Sequence, residues 1–331
     1  MGQIEDRRAY TGAKLSELRG KLAKAADLCA GKACVYATGS YGRLEASEHS
    51  DLDAFIVGAT TEDKEGRRLR LLPRLDEICV KADLITATNN LGLPPFDGDG
   101  EYLEFYSVDD LVKRLGTPED DSLNTFTARL LLVLESTCLV EDAVYAEAID
   151  TVLAPYWRDF QDHAKAFAPA FLANDILRLW RTLCVNYEAR TSPESPGKRA
   201  KRRYKNYTLK HSRLLTCYSA ILELLAIHSA RNTVTPEDAK EMATTSPTER
   251  IFRIMEEFPK HHEACKPIID AYEQFLAVTD RRKADLLNAF ASSSSPDLVG
   301  GRDAMEALGN AVSAAVAKIG DNSRFYRLLI V

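Results

Sequence analysis

The order of residues between positions 35 and 57 constrains this chain more than any other feature. Val35-Tyr36-Ala37-Thr38 reads as a short strand that breaks at Gly39-Ser40. After Tyr41-Gly42-Arg43-Leu44-Glu45, the run Ser50-Asp51-Leu52-Asp53 opens a second strand-forming stretch, Ala54-Phe55-Ile56-Val57. Side chains alternate along a strand, so Asp51 and Asp53 project from one face. Two carboxylates held side by side form a hard oxygen site suited to Mg²⁺, which arrives with nucleotide phosphates. Gly39 lets the backbone come close to a ligand, and the amides of a following helix start can hold phosphate oxygens. The pattern predicts a phosphoryl-transfer site built where a glycine-serine turn meets a strand.

These residues resemble the DNA polymerase beta-like nucleotidyltransferase superfamily, whose pattern is Gly-Ser, a short loop and helix, then Asp-x-Asp on the next strand. Gly-Ser-Tyr-Gly-Arg-x-Glu followed by Ser-Asp-x-Asp looks most like the branch that includes the PII-protein uridylyltransferases. The resemblance covers residues 35–57. It implies an α/β nucleotidyltransferase domain, a small mixed sheet with helices, followed by an α-helical domain. It also implies a third acid on a later strand. Glu104, inside Tyr102-Leu103-Glu104-Phe105-Tyr106, is the preferred candidate, because Leu103 and Phe105 alternate away from it. Asp83, Asp97 and Asp99 are the alternatives, and Asp97 and Asp99 read first as turn residues of a glycine-rich loop. The expected catalytic and metal set is thus Asp51, Asp53 and Glu104, holding Mg²⁺ or Mn²⁺. Gly39 and Ser40 are assigned to nucleotide phosphates. Arg43 has two readings, a phosphate contact or an internal pair with Glu45 that anchors the loop.

Composition narrows the class rather than the chemistry. The 331 residues are 45% hydrophobic and 28% charged, as in a globular chain of one large or two moderate domains. The net charge of −6 excludes a global basic field drawing the chain to nucleic acid or anionic lipid. No apolar run reaches the length of a membrane span, and the first residues lack a signal-peptide core, so a cytoplasmic protein without membrane partners is expected. Asp6 stands where a myristoylation signal needs Ser or Thr, which removes Gly2 from consideration. Seven scattered cysteines without a Cys-x-x-Cys pair read as reduced, mostly buried thiols. His261-His262 reads as a solvated helix end.

Along the chain, helical spacing covers residues 8–30 and again 64–82, where Leu69, Leu72, Leu75 and Ile78 mark one face and Pro73 is a kink or a start. A turn-rich stretch follows over residues 89–100. From Ser107 onward the pattern is almost wholly helical, including an apolar helix over 126–135 that carries Arg129 and Glu135. The expected division is a catalytic domain over 1–115 and a helical substrate- and nucleotide-binding domain over 116–331.

Two features of the helical half are candidates for ligand contact. Asn174, Arg178 and Arg181 fall at i, i+4 and i+7 of a helix and share a face, either lining a nucleotide site or pairing with Asp175 or Glu135. Residues 198–213 form the one concentrated basic run of an acidic chain, with Tyr204 and Tyr207 as possible stacking partners for bases. Lys205, Lys210 and Arg213 are preferred there, because they enter the next helix. The resemblance also implies that a basic residue of the helical annex contacts the phosphates.

The expectation is transfer of a nucleoside monophosphate from an NTP or dNTP to an acceptor hydroxyl, with release of pyrophosphate. The acceptor classes are another nucleotide (a signalling oligonucleotide, as in bacterial antiviral defence), a tRNA end or other nucleic-acid end, and a protein side chain. A regulatory or effector protein is a further expected partner. The rival reading is a catalytically inactive nucleotide-binding regulator, and hydrolysis of the triphosphate is the weaker rival.

Overall fold

The computed structural model describes residues 2–65, 68–96, 100, 103–189, 196–292 and 296–330. Asp97, Asp99, Tyr102 and the Pro193–Ser195 loop therefore lie outside the described residues. The chain forms two compact units, Glu5–Arg158 and Asp159–Val331, the latter including Met1–Ile4. The architecture is a small sheet within a mostly helical chain.

The sheet unit runs α1 (Gln3–Arg19), α2 (Ala23–Cys29), β1 (Ala33–Thr38), α3 (Gly39–Gly42), β2 (Asp53–Gly58), β3 (Thr60–Glu62), β4 (Arg68–Arg70) and α4 (Arg74–Asn90). It continues with β5 (Phe105–Ser107), α5 (Val108–Lys113), α6 (Pro118–Ser122), α7 (Thr125–Leu134), β6 (Thr137–Val140) and α8 (Asp142–Leu153). The main sheet has the order β5-β2-β1-β6. β1 is antiparallel to β2 and β6, and β2 is parallel to β5. Every residue of β1 is buried, because both sheet faces are covered. On one face Val35, Ala37 and Ile56 pack with Leu15, Leu18, Val80 and Leu84. On the other, Tyr36 stacks on Phe55 at 5.8 Å and meets Tyr145 of α8 at 6.1 Å.

Three local expectations change. The helix over 8–30 is two helices, interrupted at Gly20-Lys21. The helical spacing of 64–82 is split: Arg68–Arg70 pairs as a strand, and Pro73 is the N-cap of α4, where its fixed φ suits a helix entry. Leu75 and Ile78 then face outward, 76% and 53% exposed, while Val80 and Leu84 fill the core. Residues beyond 107 are not all helical, because Thr137–Val140 returns to pair with β1. Residues 116–158, expected in the helical half, therefore pack with the sheet.

The helical unit runs α9 (Phe160–His163), α10 (Ala170–Ala189), α11 (Pro196–Thr208), a π-helical turn (Leu209–Arg213), α12 (Leu214–Arg231), α13 (Pro236–Thr244) and α14 (Pro247–Glu257). It ends with α15 (His262–Thr279), α16 (Lys283–Ala289), α17 (Pro296–Gly320) and α18 (Arg324–Leu328). Thr235 and Asp238 close a capping box at the start of α13. All seven cysteines are free, and five are buried. His261 is buried rather than solvated, and His262 at the helix end is half-buried. No helix among the described residues is long and apolar enough to cross a membrane.

Candidate active site

The strand β1 ends in a left-handed turn that favours glycine. Gly39 has φ +63, and a Cβ on it would lie 2.6 Å from Asp53 Oδ2. The register Thr38↔Asp53 brings the two together, so the glycine-serine turn sits directly against the second acid. Gly42 closes the turn against the main chain of residue 135, where a Cβ would strike the Glu135 carbonyl oxygen. Thr137 Oγ1 donates to the Gly42 carbonyl oxygen at 3.0 Å, tying the same turn to the start of β6.

Arg43 has the geometry of the internal pair with Glu45. Its Nε donates to Glu45 Oε2 at 2.8 Å and its Nη1 to Glu135 Oε2 at 2.9 Å, and all three residues are buried. A planar fork between two carboxylates is geometry that Arg supplies and Lys does not. Between these charges Leu44 adopts φ +61, an uncommon conformation for a branched residue, while its side chain packs on the core. From the other side, Arg7 Nη1 donates to the Glu45 carbonyl at 3.3 Å and the Ala46 amide donates to Thr11 Oγ1 at 2.9 Å. Ser47 and Ser50 then form a tight polar turn that delivers the chain to Asp51.

Asp51 precedes β2 and Asp53 opens it, both partly exposed, with Leu52 buried between them. This alternation is the one the sequence predicts. Tyr41, on the motif turn, is fully buried, and burial pushes its phenol up, with the Asp51 carboxylate adding to the shift.

Glu104 does not complete a three-acid set. It lies just before β5 and is exposed, and its carbonyl accepts the Ile56 amide at 3.1 Å. The parallel register Ile56↔Phe105 places it beside Phe55, on the face of Asp53 but two residues further along. Its carboxylate neighbours the Tyr106 phenol, which burial, reinforced by that charge, pushes up to about 12. Among the described residues, no three of His, Cys, Asp and Glu converge in a way that could hold a metal ion. Asp83 is engaged elsewhere, accepting the Ala25 amide at 2.9 Å.

The pair Asp51 and Asp53 nevertheless fits Mg²⁺. That ion is commonly held by one or two carboxylates, with water and substrate phosphates supplying the remaining oxygens. Both acids are partly exposed, and the missing Cβ of Gly39 leaves room beside the Asp53 carboxylate.

The basic candidates lie in the helical unit. Asn174, Arg178 and Arg181 share an outer row of α10, and Arg178 Nη1 stands 3.8 Å from Asp175 Oδ1. Lys210 Nζ lies 5.2 Å over the Trp180 ring and 4.0 Å from Cys184 Sγ. Lys205 is exposed on α11, and Arg213 is half-buried in the π-helical turn. Tyr207 is not available for stacking on bases, since it is buried against Phe275 and Phe290. Tyr204 packs edge-on against Phe290.

Glu135 and Thr137 are the supporting residues that motif reasoning does not assign. The signal for Glu135 is a single acid ending the apolar run Leu130-Leu131-Leu132-Val133-Leu134. No protein-family model matches the chain, and no curated protein sequence matches it.

Proposed function

We propose that the chain is a Mg²⁺-dependent nucleotidyltransferase that moves a nucleoside monophosphate from an NTP or dNTP to an acceptor hydroxyl, releasing pyrophosphate, in the cytoplasm. The observation carrying this reading is the close approach of the Asp53 carboxylate to Gly39, with Asp51 two residues before it and likewise partly exposed. Asp51 and Asp53 would hold Mg²⁺ beside the bound triphosphate. Bound there, the ion would supply charge neutralisation and lower the pKa of the attacking hydroxyl. The acceptor oxygen forms the new bond to the α-phosphorus as the bond to the pyrophosphate oxygen breaks, and the hydroxyl proton leaves to solvent. Gly39 and Ser40 let the β- and γ-phosphates approach the main chain. Positioning and charge neutralisation carry such a reaction, so no covalent nucleophile is required. Arg43, with Glu45 and Glu135, fixes the turn that presents these groups.

Incubation of the purified protein with Mg²⁺ and each labelled NTP and dNTP tests the reading, with Asp51→Asn/Asp53→Asn as control. A labelled oligonucleotide, nucleic-acid or protein product that vanishes in the control supports transfer and identifies the acceptor. A second reading, a nucleotide-binding regulator without turnover, is favoured by the absence of a three-acid group among the described residues. Tight NTP binding with no product, even with cell lysate added, would establish that reading instead.

A further inference from the structure

Residues 198–213 contain eight lysines and arginines and no acid, in a chain whose net charge is −6. The structure separates this run into an inner and an outer row. Ala200 and Tyr207 are buried, and Tyr207 meets Phe275 at 5.5 Å and Phe290 at 5.3 Å. Arg203 Nη1 donates to the Phe290 and Ala291 carbonyls at 3.2 and 2.8 Å, so this cation fastens α11 to the end of α16. Lys210 is engaged over Trp180. What remains outside is Lys198, Lys201 and Lys205 at i, i+3 and i+7, all exposed, with Arg199 exposed beside them. Among the described residues, none of these four is ion-paired to a carboxylate.

Three chemistries attract such a row, and two fit poorly. A mononucleotide is held in a concavity that buries most of it, whereas these side chains stand on the convex outer face of a helix. An anionic membrane surface is met by helices that also insert apolar side chains. The apolar side of α11 is already packed inside the protein, and no large hydrophobic residue is exposed from 196 to 213. A polyanion with regularly repeating charge needs neither a concavity nor an apolar face. At about 1.5 Å per residue the lysine row is about 10 Å long, enough to meet several successive phosphates.

We propose that the outer face of α11, through Lys198, Lys201 and Lys205, docks the phosphodiester backbone of a nucleic-acid strand. Contact is to the backbone and not to the bases, because Tyr207 is buried and Tyr204 is half-buried with its ring packed edge-on against Phe290. That the strand carries the acceptor hydroxyl rests on the transfer reading above; the docking does not.

The test is fluorescence anisotropy with a short labelled single-stranded oligonucleotide, as RNA and as DNA, over a salt series. The full chain is compared with Lys198→Glu/Lys201→Glu/Lys205→Glu and with the three Gln substitutions, circular dichroism confirming the fold of each. The charge-reversed protein is expected to bind at least about tenfold more weakly at low salt, with Gln variants between. Its slope of log K against log salt should fall by about 2, near 0.7 for each lost phosphate contact. Equal binding by the reversed variant, or no strand binding by the parent, overturns the proposal. So does displacement by poly-glutamate as effective as by unlabelled strand, or equal affinity for phosphatidylserine vesicles. The RNA and DNA arms identify the strand's sugar. Label transfer in the Asp51/Asp53 comparison is scored separately, so strand binding without transfer supports the docking while leaving the transfer reading to fail alone.

Discussion

Arg43 decides how far the motif turn can be trusted to hold its shape. It lies buried between two carboxylates, one two residues away and one 92 residues away in sequence. Removing the cation takes the shared partner out of two buried ion pairs, and breaking a buried pair costs about 3–5 kcal/mol in comparable sites. Arg43→Ala should therefore lose stability of that size in urea denaturation. Arg43→Lys should recover only part of it, since a single ammonium cannot fork to both acids. A loss below about 1 kcal/mol would show that the triad is not the anchor. The near half of this arrangement was legible in the spacing Arg-x-Glu. The far half was not, because nothing local links Glu135 to a loop on the other side of β1. Glu104 failed for a similar reason: alternation set its face correctly, but only the register of β5 against β2 fixes how far along the sheet it sits.

Elements were legible where local chemistry was decisive and obscure where partners were distant. β1, the opening of β2 and the capped start of α13 follow from residues adjacent in sequence. β6 does not, since Thr137-Cys138-Leu139-Val140 follows an apolar helix and becomes a strand only by pairing with β1. The π-helical turn carries its own consequence. His211 there is fully buried, its ring stacked on Phe275 at 4.6 Å and its Nδ1 2.8 Å from the Tyr207 carbonyl. Burial lowers its pKa from 6.5 to about 4, so the unfolded chain binds the proton more readily between those values. Stability is then complete above pH 6.5 and declines as pH falls towards 4, by about 3 kcal/mol from this group. Thermal melts at pH 7, 5.5 and 4 should show a shallower acid loss for His211→Phe than for the parent. Parallel pH profiles would contradict it.

On the scale of the molecule, composition spoke only to class, whereas contacts show where one unit stops and the other starts. The core of the sheet unit is drawn from residues 15–140, wholly within Glu5–Arg158. A fragment spanning 5–158 should consequently fold alone and melt in one cooperative transition. A broad, non-cooperative melt would mean that its core needs the helical residues. The charge run of 198–213 was visible as a run, but the helix alone sorted it, turning Arg203 and Tyr207 inward and leaving Lys198, Lys201 and Lys205 outside. The closeness of Gly39 to Asp53 reaches beyond this chain. On the proposed transfer reading, descendants of such a sequence that have retired the activity need not have lost a carboxylate. One methyl group at position 39 would strain the turn and push the Asp53 carboxylate aside, leaving both acids in place for any inspection that counts only acids. Position 39, rather than 51 or 53, is where a lineage's working and lapsed copies should first part company.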